Sequence, residues 1–281
     1  MKNNNLARYG TAAFVIGSII GTYFLSRPDK KGVNTKLDRR QQKKIDQNLM
    51  TPANATFGIV WPILYSGTIA LAIHQALPSQ KFNPRYAKAR PWLLVCYTMN
   101  AVFGYFFSKS DKFNRVGAAV TTIAMLPASI ILHRQLEIGQ GDVPEPENSI
   151  RKVMGMYAGW LTAASAVSIT TLIQEMGYFT DKKGAKTDAL FTLPITSGIG
   201  LLASKSLNDP YYLLTIIAAL AGIAVKQNDT NPEVSKLAVS LALGLATTAA
   251  PLLDETGKLQ EIVSRLIPSF PVKETLAAVI H

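Results

Sequence analysis

Met50-Thr51-Pro52-Ala53-Asn54-Ala55-Thr56-Phe57-Gly58-Ile59-Val60-Trp61-Pro62-Ile63-Leu64-Tyr65, running on to Ala72-Ile73-His74-Gln75-Ala76-Leu77-Pro78, decides the fold class. Residues 55–77 contain no Asp, Glu, Lys or Arg. A helix of about 20 mostly apolar residues crosses a hydrocarbon core about 30 Å thick. The stretch therefore predicts a membrane-spanning helix. Thr51-Pro52 reads as its start, with Thr as cap and Pro in the first helical position. Phe57, Trp61, Leu64 and Tyr65 then share one face of it.

The pattern recurs outward from there. Further candidate spans cover residues 9–25, 91–107, 116–132, 153–173 and 234–253. Residues 189–203 and 210–225 are both short, and read either as two tilted spans or as one span with a re-entrant piece. Seven or eight hydrophobic segments make an all-α, polytopic transmembrane helix bundle. The overall apolar fraction, 48%, is that of a soluble domain, so the clustering of charge carries this reading. The expected domains are an N-terminal membrane anchor (1–26), a basic linker (27–50), the bundle (51–253) and a C-terminal tail (254–281). The first segment follows Lys2 and Arg8 but lacks a small-x-small cleavage pattern at Tyr23-Phe24-Leu25-Ser26, which favours a retained anchor. In the tail, Leu259, Ile262, Val263, Leu266 and Ile267 have helical spacing, which predicts an amphipathic helix too short to span.

A net charge of +11 suggests nucleic acid in a soluble protein. Here the basic residues lie at membrane borders, so no nucleic-acid partner is expected. Arg27, Lys30, Lys31, Lys36, Arg39, Arg40, Lys43 and Lys44 predict that residues 27–48 face the cytoplasm. They serve either as contacts to anionic lipid or as a solvated linker. Lys109, Lys112, Arg115, Lys182, Lys183 and Lys186 fall on the same side, although Lys81, Arg85, Lys88 and Arg90 then lie opposite with Asp142, Glu145 and Glu147. Small residues four apart occur at Gly17/Gly21, Gly155/Gly159 and Ser240/Gly244/Thr248. Such spacing lets helices approach closely, and packing within the chain is the expected use.

Catalytic and ion-coupling chemistry is not written into these segments. No span centre carries a charged side chain, as pumps require, and no HExxH, GxSxG or phosphate-loop motif appears. No enzyme activity is expected. The lone Cys96 forms no intrachain disulfide.

The arrangement Pro-x4-Phe-x3-Trp-x2-Leu-Tyr from Pro52 to Tyr65 resembles the first-helix signature of the translocator protein family, the tryptophan-rich sensory proteins (TspO/MBR-like), in its longer bacterial-type branch. Asn100-Ala101-Val102-Phe103-Gly104-Tyr105 is similar to a second family segment, with Phe103 where Trp is usual. Tyr157-Ala158-Gly159-Trp160-Leu161-Thr162 and Asp209-Pro210-Tyr211 resemble two later ones. The resemblance covers about residues 51–250, and only three tryptophans remain. It implies a bundle that binds hydrophobic ligands, tetrapyrroles or isoprenoid-type lipids, as a sensor or carrier. Porphyrin, chlorophyll or carotenoid are candidate ligands, and the sequence leaves the cofactor open. Phe57, Trp61, Tyr65, Asn100, Phe103 and Trp160 are the implied pocket residues, because aromatic faces stack on flat molecules and a buried amide orients them. The same rings also serve plain packing. His74 and His133 end two spans on one membrane side and are candidate axial ligands for a tetrapyrrole metal. The alternative is an accessory subunit of a larger membrane complex, which has lost pocket tryptophans and docks on other subunits.

Overall fold

The computed structural model of the chain describes residues 4–25, 44–109, 111–140 and 143–253. The amphipathic tail helix expected at 258–267, and most of the basic linker, lie outside the described residues. Eight long helices follow one another: α1 (Asn4–Leu25), α2 (Asn54–Ala76), α3 (Pro84–Phe107), α4 (Lys112–Gln135), α5 (Val153–Glu175), α6 (Lys182–Leu207), α7 (Tyr211–Gln227) and α8 (Pro232–Leu253). No strand occurs among the described residues. Each candidate span becomes a helix. Five helices are long and apolar enough to cross a membrane, and α7 is a shorter apolar one of 17 residues. The pair left open by the sequence resolves into two helices, α6 and α7, broken at Asn208-Asp209-Pro210. Asn208 there adopts a left-handed conformation, φ 50°, and ends α6.

Local signals set most helix starts. Asn83, Asp111 and Asp181 each cap the following helix, accepting from the N–H of Arg85, Asn114 and Gly184 respectively. The start of α2 corrects the expectation. Thr51 is not its cap and Pro52 is not its first residue; the helix begins at Asn54, after an extended Ala53 with no side-chain cap. Tertiary contacts hold the preceding segment out of the helix. Asn48 Nδ2 donates to the Val167 carbonyl (2.9 Å) and to Thr171 Oγ1 (3.1 Å), and Gln227 Nε2 donates to the Leu49 carbonyl (3.1 Å). The Ala53 N–H donates to the Gly222 carbonyl on α7 at 3.1 Å.

The bundle has two cores that meet at α5. The first joins α1 to α5 through Val15, Leu64, Leu71, Leu93, Tyr97, Met125, Leu132, Tyr157 and Leu161. The second joins α5 to α8 through Ala166, Leu193, Leu213, Ile216, Leu220, Ala238 and Leu245, with Met50 added from the segment before α2. Lipid is as apolar as leucine, so close backbone approach and buried polar links hold such helices together. Gly155 and Gly159 supply the approach: a Cβ on Gly159 would collide with the Tyr212 carbonyl, and one on Gly155 with Asp209. The other two small-residue sets correct the expectation of packing within the chain. Gly17, Gly21 and Gly244 face open space, and Ser240 is exposed. Helices α1 and α8 stand at the two ends of the bundle, each with one side left unpacked by the chain.

Charged pairs collect at the helix ends. Arg115–Glu175 (2.8 Å), Lys226–Asp46 (2.9 Å) and Lys186–Glu233 (2.7 Å) lie at one end, and Arg85–Glu147 (2.8 Å) at the other. Between them the outward faces of the helices carry residues such as Ile59, Phe191 and Val225, as a bilayer requires.

Candidate ligand-binding site

Four of the six predicted pocket residues form a continuous ladder of rings. On α2, Trp61 and Tyr65 are one turn apart and stack at 4.9 Å between centroids, 30° between planes. Trp160 comes from α5 and sets its edge against Trp61 at 6.0 Å and 76°. Phe57 closes the other side, edge-on to Trp160 at 5.5 Å and 88°. Offset and edge-to-face pairs of this kind contribute about 0.5–1.5 kcal/mol each beyond their burial. Trp160 is buried, whereas Phe57, Trp61 and Tyr65 are half-buried and packed against the first core. Phe57, Trp61 and Tyr65 keep part of their surface uncovered, so the ladder lies at a seam on the outside of the bundle rather than in the deep interior.

Asn100 on α3 joins the ladder at the Tyr65 end. It is 1% exposed, and its Nδ2 donates to Thr22 Oγ1 on α1 at 3.2 Å. The amide also lies against the Tyr65 hydroxyl. Phe103, one turn further along α3, stacks on Phe107 at 5.2 Å instead, and no ring contact among the described residues links it to the ladder.

The bundle holds a water-sized void of about 10 Å³ beside Leu71, Gln75 and Leu132, and an open polar cleft of about 330 Å³ beside His74, Asn83, Arg85 and Glu147. Neither is lined by any of the six.

The two candidate histidines lie at the same end of the bundle and are held apart by separate partners. His74 Nδ1 pairs with the Tyr86 hydroxyl at 2.6 Å. His133 Nε2 pairs with Asp209 Oδ2 at 2.9 Å, with both side chains 1% exposed. The remaining nitrogen of His133 is buried without a hydrogen bond. No group of three or more His, Cys, Asp or Glu that could hold a metal ion occurs among the described residues.

The Asp209 junction is a feature that sequence reading placed only as part of a resemblance. Its carboxylate also accepts from the Tyr211 N–H (3.0 Å), its carbonyl accepts from Ser204 Oγ (2.8 Å), and it sits against Gly155. Asp-Pro ahead of an apolar run is the available signal for it. Nothing in the sequence pointed to the column in the first core. There Tyr97 stacks on Tyr157 at 6.0 Å and donates to Thr68 Oγ1 at 2.7 Å.

A family model described as TSPO-like protein matches residues 11–250, so the match begins already in α1. No curated protein and no solved structure matches the chain.

Proposed function

We infer, from the premise that the chain belongs to the TSPO-like protein family, that its bundle binds a flat or extended hydrophobic ligand of tetrapyrrole or isoprenoid type. It acts as a sensor or carrier in the membrane and catalyses no reaction. The observation that carries this reading is the ring ladder of Phe57, Trp61, Tyr65 and Trp160, which lies across two helices at a seam on the outside of the bundle. An apolar ligand reaches such a seam from the bilayer without crossing water. Stacked rings bind planar molecules through their faces with little demand on sequence.

The test is a porphyrin titration of the purified protein, followed by quenching of its tryptophans. Chlorophyll and carotenoid serve as further probes. Saturable quenching is expected, and Trp61→Ala is expected to weaken it by about 1–3 kcal/mol with the helical circular dichroism unchanged. Absence of saturable binding to all three would remove the reading.

A second reading, an accessory subunit of a larger membrane complex, is favoured by one observation. The small-residue faces at Gly17/Gly21 and Ser240/Gly244 point away from the bundle. Native purification from membranes separates the two: stoichiometric co-purifying subunits support the second, and bound pigment without them supports the first.

A further inference from the structure

Arg8, near the start of α1, is 1% exposed, yet no negative group answers its charge. Its Nη1 donates to the Leu77 carbonyl at the end of α2 (2.9 Å) and its Nη2 to Asn5 Oδ1 (2.9 Å), and both acceptors are neutral. Its Nε is buried without a hydrogen bond, and no carboxylate among the described residues pairs with it. Buried charges are normally paired. A second guanidinium adds to the imbalance. Arg90, near the start of α3, repels Arg8 and keeps part of its own surface uncovered. Gln75 of α2 links the two: its Nε2 donates to the Arg8 carbonyl at 3.1 Å, and it lines the water-sized void together with Arg90. Three helix ends thus bring two cations to one corner of the bundle. Apolar surface adjoins them, since Leu6 and Tyr9 on α1 and Ile73 and Leu77 at the end of α2 are exposed.

We propose that this corner binds the head group of an anionic phospholipid, with Arg90 touching the phosphate and Arg8 supplying a fixed positive charge behind it. A guanidinium donates to phosphate oxygens through a planar fork, in short charge-assisted hydrogen bonds. An interfacial arginine ordinarily turns its head to water. Arg8 is tied to the Leu77 carbonyl and to Asn5, so the compensating charge has to come to it. The phosphate of a phospholipid lies at the level of the helix ends, and its chains run beside Leu6, Tyr9, Ile73 and Leu77. An ammonium carried on the head group would meet the same two cations, so a head group of net negative charge fits better than a zwitterionic one. The corner is at the opposite end of α2 from Phe57 and Trp61, and the proposal is independent of the ring ladder.

The test uses the full-length protein purified in detergent, with lipid adducts counted by native mass spectrometry for dioleoylphosphatidylglycerol and dioleoylphosphatidylcholine. Phosphatidylglycerol is expected to bind roughly tenfold tighter, the size of one charge-assisted hydrogen bond. Arg90→Gln is expected to abolish that preference and Arg90→Lys to keep part of it. Lys88→Gln, at an exposed lysine of the same helix, is expected to leave it unchanged. Arg8→Gln is expected to reduce it as well; if that variant unfolds on losing its hold on Leu77, Arg90→Gln decides. Equal binding of the two lipids, a preference that survives in Arg90→Gln, or an equal loss in Lys88→Gln overturns the proposal. Inorganic phosphate separates the lipid from a soluble anion. Displacement of the phosphatidylglycerol adduct by millimolar phosphate would assign the corner to the free ion and overturn the lipid reading, and persistence of the adduct supports it.

Discussion

His133 and Asp209 form the most enclosed hydrogen-bonded acid–imidazole pair among the described residues, with both side chains 1% exposed. Removing one partner leaves the other a buried polar group without its hydrogen bond, which costs about 1–3 kcal/mol and more where the group is charged. Asp209→Ala also releases the Tyr211 N–H and opens space beside Gly155. Unfolding in a denaturing detergent titration is therefore expected to shift strongly for Asp209→Ala and for His133→Leu. The double variant should lose less than the sum, because the two losses share one interaction. Additive losses would show that the pair is only a neighbourly contact. The pair ties the end of α4, in the first core, to the start of α7, in the second, so a single residue contact acts across the molecule.

At the scale of the helix, glycines with the same spacing do opposite things. Gly159 lies where a Cβ would meet the Tyr212 carbonyl, an atom that cannot swing aside. Gly159→Ala is expected to destabilise by about 1–3 kcal/mol, as overpacking does. Gly222→Ala is expected to behave likewise, since its Cβ would strike Thr56 and Pro52 and push the start of α2 off α7. Gly17→Ala meets open space. It should be neutral in the isolated chain, or stabilising by up to about 1 kcal/mol through helix propensity. The comparison is read by denaturation midpoint for the three variants. A loss for Gly17→Ala comparable with that for Gly159→Ala would mean that a partner covers α1 in solution.

For the whole molecule, the ion pairs sort the loops into two ends, and the alternating direction of the eight helices predicts sidedness. Cysteines introduced at Lys44, Lys182 and Asp229 are expected to label from one face, and those at Lys81 and Lys205 from the other. The native Cys96 is fully buried and stays silent. The first set is expected on the cytoplasmic face, because the basic residues 27–48 precede α2 at that end. Labelling of the first set from outside would reverse the orientation and keep the bundle. Labelling of Lys205 together with Lys182 would break the assignment of α6 as a crossing.

The sequence by itself determined the helices of this protein. Apolar runs bounded by charge declare a spanning segment through their transfer energy alone, but α3, α4 and α6 begin several residues before those runs, at caps Asn83, Asp111 and Asp181 that the hydropathy pattern does not mark. The rings at Phe57, Trp61 and Tyr65 were legible as one face because helical spacing places them there. Partnership between helices was not legible, since it depends on how faces are turned toward each other, and in a bilayer apolar faces turned inward and outward look alike. Only the tertiary structure decided that Gly159 packs while Gly17 does not, and that Phe103 stacks on Phe107 away from Trp61. It alone paired His133 with Asp209. It also drew residues 48–53 into the wedge between α5 and α7, which delays the start of α2 past a local signal for it. Each of these is a contact between segments far apart in the chain, and no local propensity encodes such a contact.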